Sequence, residues 1–186
     1  MAKEILKEFF IEDNKLDNKT GKRRISTYLT IKRDLKKIMV GNKKNLGLSL
    51  LTNISLVCTC VDLLSKVSIG RQPKTGENGK IFKQYLKSYC DFSDEQSESL
   101  WKLRNSILHS FTIDSIKGIV LYGDHTPVLI KKSGKKKTIT FFARALYSQV
   151  VILSAEKLRD HLLNEIEDTK PYEKYLLRNG FFYRSN

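Results

Sequence analysis

Residues 45 to 69 constrain the fold more than any other part of the chain. Leu46, Leu50, Ile54, Val57, Val61, Leu64 and Ile69 recur at helical spacing through this longest apolar segment. A helix so apolar has to be covered by other elements, so the spacing predicts the central core helix of a mainly helical domain. Gly70 predicts its end.

The rest of the chain supplies that cover. Residues 2 to 10 predict a short amphipathic helix. Residues 24 to 40 predict another, with Tyr28, Leu29, Leu35 and Ile38 on its apolar side. A third runs from 80 to 90. Gly79-Lys80 ends like a phosphate-binding loop, but the first glycine is missing at the required spacing, no strand precedes it, and Ile81 stands where a magnesium-binding Ser or Thr belongs. The loop 70–80 is therefore not read as a P-loop. Residues 116–122, 127–132 and 137–142 then alternate as short strands separated by Gly123-Asp124 and Ser133-Gly134, which predicts a small antiparallel β-meander embellishing the domain over 115–142. Helix returns over 143–167, with Leu146, Val150, Leu153, Leu158, Leu162 and Ile166 inward, and Pro171 opens a last helix closed by Gly180. The apolar Phe181, Phe182 and Tyr183 are expected to dock on the body or on a second subunit. At 186 residues the expectation is one domain, helical over 2–113 and 143–180.

The helix predicted over 94–111, DEQSESLWKLRNSILHSF, departs from a simple amphipathic pattern. Ser93 is its expected N-cap. Leu100, Trp101, Leu103, Ile107, Leu108 and Phe111 form one apolar arc, yet Arg104 falls near the middle of it. A guanidinium stays charged at any accessible pH, so a half-buried one needs a carboxylate, a phosphate or carbonyls beside it. Asn105 and His109, at i and i+4, share the adjoining edge, while Ser99, Lys102, Ser106 and Ser110 take the far side. His109 comes near the negative end of the helix dipole, which favours the imidazolium. An arginine and a histidine so placed serve either as structural groups or as a charge stabiliser and a proton carrier.

Arg104-Asn105-Ser106-Ile107-Leu108-His109 reads R-N-x-x-x-H within a helix, and it resembles the signature of the HEPN (higher eukaryote and prokaryote nucleotide-binding) superfamily. The resemblance is tight over six residues and looser through the helical layout around them. It implies a helical bundle in which the motif helices of two protomers pair to build a composite site. Many such proteins are metal-independent ribonucleases acting as toxins or in phage defence; others are non-catalytic partners of nucleotidyltransferases. On the catalytic branch, Arg104, Asn105 and His109 would be the site of an endoribonuclease. Its partners would be RNA, a second copy of the chain, and an antitoxin or activating protein. On the other branch, the chain is an antitoxin-like nucleotide- or RNA-binding module, or a basic nucleic-acid-binding regulator.

Charge bears on the same question. The 34 Lys and Arg against 20 Asp and Glu leave +14, which points to a polyanionic partner or reflects a general basic bias. Lys32, Arg33, Lys36 and Lys37 form either a solvated face or a set of phosphate contacts. Lys131, Lys132, Lys135, Lys136 and Lys137, at the second strand turn, form either a protected sheet edge or a basic finger along a nucleic acid. No compact Asp, Glu and His cluster suggests a metal site, and no cofactor is expected. Cys58, Cys60 and Cys90 match no common zinc spacing and read as reduced, buried thiols. His125 and His161 read as surface histidines. The charged N-terminus lacks a signal peptide's apolar core, and no apolar run is expected to cross a membrane, so a cytoplasmic protein is expected.

Overall fold

The computed structural model describes residues 3–10, 28, 31–33, 36, 37, 46–110, 118–121, 123 and 125–179, with the backbone alone at 46–49, 109 and 110. The helices are α1 (Glu4–Phe9), α2 (Leu46–Ile69), α3 (Asn78–Cys90), α4 (Asp94–Ser110) and α6 (Lys170–Arg178). Between the last two, α5 runs unbroken through Ala143–Ala145, Leu146–Leu153, Ser154–Asp160 and His161–Glu165. Of the helix expected over 24–40, the described residues 28, 31–33 and 36–37 are helical. Gly180 and the aromatic close at 181–183 lie outside the described residues.

Helix α2 occupies the centre, packed by α3, α4, α5 and α6. Its Ile54, Val57, Cys58 and Val61 are fully buried against Phe82 and Leu86 of α3, Leu100 and Leu103 of α4, and Leu146 and Val150 of α5. Each such side chain contributes about 1.5–3 kcal/mol by leaving water. Leu50–Ile69 reaches membrane-span length and composition, contrary to the expectation that no run would, but half of it is buried within the protein. Gly70, at φ 61°, ends the helix as expected, and a side chain there would meet Tyr172 at 2.9 Å.

The sheet differs from the antiparallel meander that the turn signals predict. Its order is β1 (Gly118–Leu121), β3 (Lys136–Phe142), β2 (Val128–Ser133), with β1 parallel to β3 and β2 antiparallel to it. Only the second turn is a tight hairpin, through Gly134 at φ 58°. The first connection instead crosses the end of β3, where Phe142 N–H donates to Pro127 O and Ala145 N–H to Gly123 O. The physical reason is burial: β3 carries Ile139, Phe141 and Phe142, all buried, and takes the middle, whereas Ile119 and Leu121 of β1 are about half exposed at the edge.

Helix α5 corrects a second expectation. Its stretches Leu146–Leu153 and His161–Glu165 are π-helical, so the inward face drifts from the 3.6-residue period. Val151 and Ala155 are buried and Leu153 is 50% exposed.

Candidate functional site

Helix α4 begins as its sequence dictates. Ser93 Oγ accepts from Gln96 N–H at 3.2 Å while Gln96 Oε1 accepts from Ser93 N–H at 3.0 Å, a reciprocal capping box. Gln96 Nε2 also donates to Val128 O, which ties the sheet to the first turn of the helix. The buried stripe of α4 is Ser97, Ser99, Leu100, Leu103, Ser106 and Ile107. The two serines expected on the far side thus face the core, because their small side chains admit close packing and Ser99 returns its hydroxyl to Glu95 O. Turning the helix this way moves Arg104 from the middle of the apolar arc to its edge, among half-buried Trp101 and Asn105 and exposed Leu108.

Arg104 has the carboxylate its position demands. Nη2 donates to Asp62 Oδ2 of α2 at 3.2 Å, with the two side chains 18% and 16% exposed. Nη1 donates to Asn105 Oδ1 at 3.1 Å. The guanidinium also lies over the Trp101 ring, 5.1 Å from its centroid. Nε is buried with no hydrogen-bond partner among the described residues. Lys66, one turn on from Asp62, donates to the same carboxylate oxygen at 3.1 Å. The result is a cation–anion–cation row at the α2–α4 seam.

Trp101 is fixed from behind. Its ring packs on Phe82 at 5.3 Å, and a Cβ at Gly79 would meet it at 2.9 Å. The glycine that resembled a phosphate-loop residue is therefore the space into which Trp101 fits. Burial pushes the Cys58 thiol up to about 12, with the nearby Arg104 charge pulling it down and Asp62 raising it.

The backbone of His109 is in the last turn of α4, and its side chain lies outside the described residues. Asn105, bonded to Arg104, stands one helical turn before it. Arg104 and Asn105 are thus brought together as the sequence suggests, and Asp62 and Trp101 complete what the sequence did not name.

The expected basic residues divide. Lys132 and Lys137 both pair with Glu95, at 3.0 and 2.9 Å, and their hydrogen bonds, Lys137 first, hold its carboxyl below the usual range. The hairpin therefore sits at the N-terminal end of α4, about 14 Å along the helix from Arg104. Lys131, Lys135 and Lys136 are exposed on it. Lys32 is committed to Glu156 at 3.5 Å, with its carbonyl accepting from Tyr147. Arg33 is half-buried, and Lys36 and Lys37 are exposed.

His161 bonds Glu165 at 2.8 Å and stacks edgewise on Tyr89, while exposed His125 meets Phe142. Cys58, Cys60 and Cys90 are free thiols, the first two buried. Among the described residues no three His, Cys, Asp or Glu side chains gather as metal ligands. No protein-family model, no curated protein and no solved structure matches the chain.

Proposed function

We propose that the chain is an endoribonuclease of the HEPN kind, cutting RNA by attack of its own 2′-hydroxyl, in a toxin–antitoxin or anti-phage role in the cytoplasm. One observation carries the proposal: Arg104 is held at a half-open seam by Asp62 and Asn105, five residues before His109 on the same helix. A guanidinium fixed by a carboxylate at one edge is oriented in advance for an anion at another, without the entropy loss of ordering it on binding.

RNA supplies the nucleophile. The 2′ oxygen attacks phosphorus and gives up its proton to a base, the P–O5′ bond breaks, and the 5′ oxygen takes a proton from an acid. Arg104 offsets the charge that grows on the non-bridging oxygens, and His109 carries one proton transfer. A second histidine, for the other transfer, comes from a second copy of the chain paired through α4, where Leu108 is 42% exposed beside Arg104. The products are a 2′,3′-cyclic phosphate and a 5′-hydroxyl. A 2′-deoxy nucleotide at the cut position is expected to stop cleavage, and cleavage at that position all the same would rule the mechanism out.

The Arg104–Asp62 pair itself favours a second reading. A guanidinium whose charge is already met can be a strut between α2 and α4, and the chain is then a non-catalytic nucleotide- or RNA-binding partner. That reading expects RNA binding by the wild type with no cleavage, alone or with any activating protein.

A further inference from the structure

Most cations of the described helices are matched by carboxylates: Lys83 with Glu98, Lys157 with Asp91, Lys66 and Arg104 with Asp62. Helix α6 carries a row of three without such a match. Lys170, Lys174 and Arg178 recur at i, i+4 and i+8, all exposed, and none makes an ion pair among the described residues. Like charges four residues apart on one helix face repel, so the row destabilises the free protein and is relieved by an anion. The three side chains line an open cavity of about 650 Å³, Arg71 lines it from the turn after α2, and Asp168, whose carboxylate accepts from the Lys170 N–H at 3.2 Å, is the one carboxylate among its lining residues. Arg71 is already committed to Glu77, which it meets at 2.8 Å, and the pair holds the 71–77 turn in place.

The shape of the row selects the ligand. A single phosphate is met by donors converging on a point. Here the charges are strung over about 12 Å, in steps of about 6 Å, an arrangement suited to successive phosphates of one extended strand. The row also leads towards Arg104. Helix α6 packs along α2, whose Asp62 lies eight residues before Gly70 at the cavity's edge. Buried Tyr175, which lines the cavity, is close enough to Asp62 for that carboxylate to add to the rise in its phenol pKa that burial causes.

We propose that the α6 cavity is a track for the phosphate backbone of a single nucleic-acid strand, which it delivers to the Arg104–Asp62 seam. The choice of a nucleic acid rests on the RNA reading above. The test uses binding alone, so it is separable from that reading: a fluorescent 2′-deoxy oligonucleotide, which the proposed chemistry cannot cut, is titrated into the full chain at several salt concentrations.

Removing three phosphate contacts lowers the slope of log affinity against log salt by about 2 for a single strand. The variant K170A/K174A/R178A is expected to show that loss with thermal stability no lower than the wild type's, since all three residues are exposed and their mutual repulsion is gone. K170R/K174R/R178K is expected to retain the wild-type slope. An unchanged slope in the alanine variant overturns the track, as does an equal loss in the charge-matched K131A/K135A/K136A. A nucleoside triphosphate that displaces the strand one for one at low concentration would also overturn it, by showing a point site. Where the wild type cuts RNA, the alanine variant raises KM at constant kcat. Failure of cleavage leaves the binding result standing.

Discussion

Replacing Asp62 by Asn leaves shape at the seam unchanged and takes away the charge on which Arg104 rests. At an effective dielectric of about 20, two unit charges at this separation attract by about 5 kcal/mol before desolvation is counted. Removing one partner from a fully buried pair costs about 3–5 kcal/mol. Here each side chain keeps some water, being 18% and 16% exposed, and Asn105 and Trp101 remain on the guanidinium. The expected loss is therefore about 2 kcal/mol, or about 4–8 °C in Tm for a chain of this size. Part of it comes from Lys66, which shares the same oxygen at 3.1 Å. The assay is thermal and urea unfolding of the wild type, Asp62→Asn, Arg104→Gln and the double variant. The double variant should be more stable than additivity predicts by at least about 1 kcal/mol. Single losses that add to within about 0.5 kcal/mol would refute a direct coupling between the two residues.

Three further outcomes follow from the contacts of Glu77, the buried cysteines and Trp101. Hydrogen bonds from Arg71 and then from the Lys74 amide hold the Glu77 carboxyl down at about 2, against an ordinary 4.5. A depressed folded-state pKa means that the stabilisation is complete above 4.5 and fades as pH falls through about 2. The Tm gap between wild type and Glu77→Gln should therefore be constant at neutral pH and close in acid; a gap that widens in acid would contradict the pair. Burial pushes Cys58 and Cys60 up to about 12, so both should resist alkylation in the native state and react after unfolding, and rapid native labelling of either would show the core to be open. Gly79→Ala drives a methyl into the Trp101 ring at 2.9 Å. Overpacking of this kind costs about 1–3 kcal/mol. Because the chain has one tryptophan, its emission reports the displacement directly, and unchanged emission and stability would show that the ring has room to move.

Much of this was legible in the sequence because it rests on local patterns. The 3.6-residue spacing marked α2, and Ser93 marked the start of α4. The demand of Arg104 for an anion could be read from the helical arc. Its supplier could also have been found: Asp62 and Lys66 are the only charged residues in Leu46–Ile69, and a carboxylate in an otherwise apolar helix needs a partner as much as the arginine does. Gly79 was misleading in the opposite sense, since a phosphate loop and a notch for an indole ask for the same residue. Non-local features stayed hidden. Nothing within Ile119 or Ile139 says which strand is central, and the π turns that expose Leu153 depend on packing across α5. Serines 99 and 106 look solvent-facing until α4 is seen lying close to its neighbours. The row on α6 was present as K-P-Y-E-K-Y-L-L-R, but its lack of ion-pair partners among the described residues appears only when the surrounding charges are placed.

The most direct test of the functional account is to incubate the purified protein with labelled RNA in EDTA, comparing wild type with Arg104→Ala, Arg104→Lys and His109→Ala. Because Arg104→Ala also breaks the contact with Asp62, each variant is first shown to be folded by circular dichroism, and Arg104→Lys keeps the charge while losing the planar fork. The account predicts cleavage by the wild type to 2′,3′-cyclic phosphate ends and its loss in all three variants. Cleavage retained by folded Arg104→Ala or His109→Ala would contradict it.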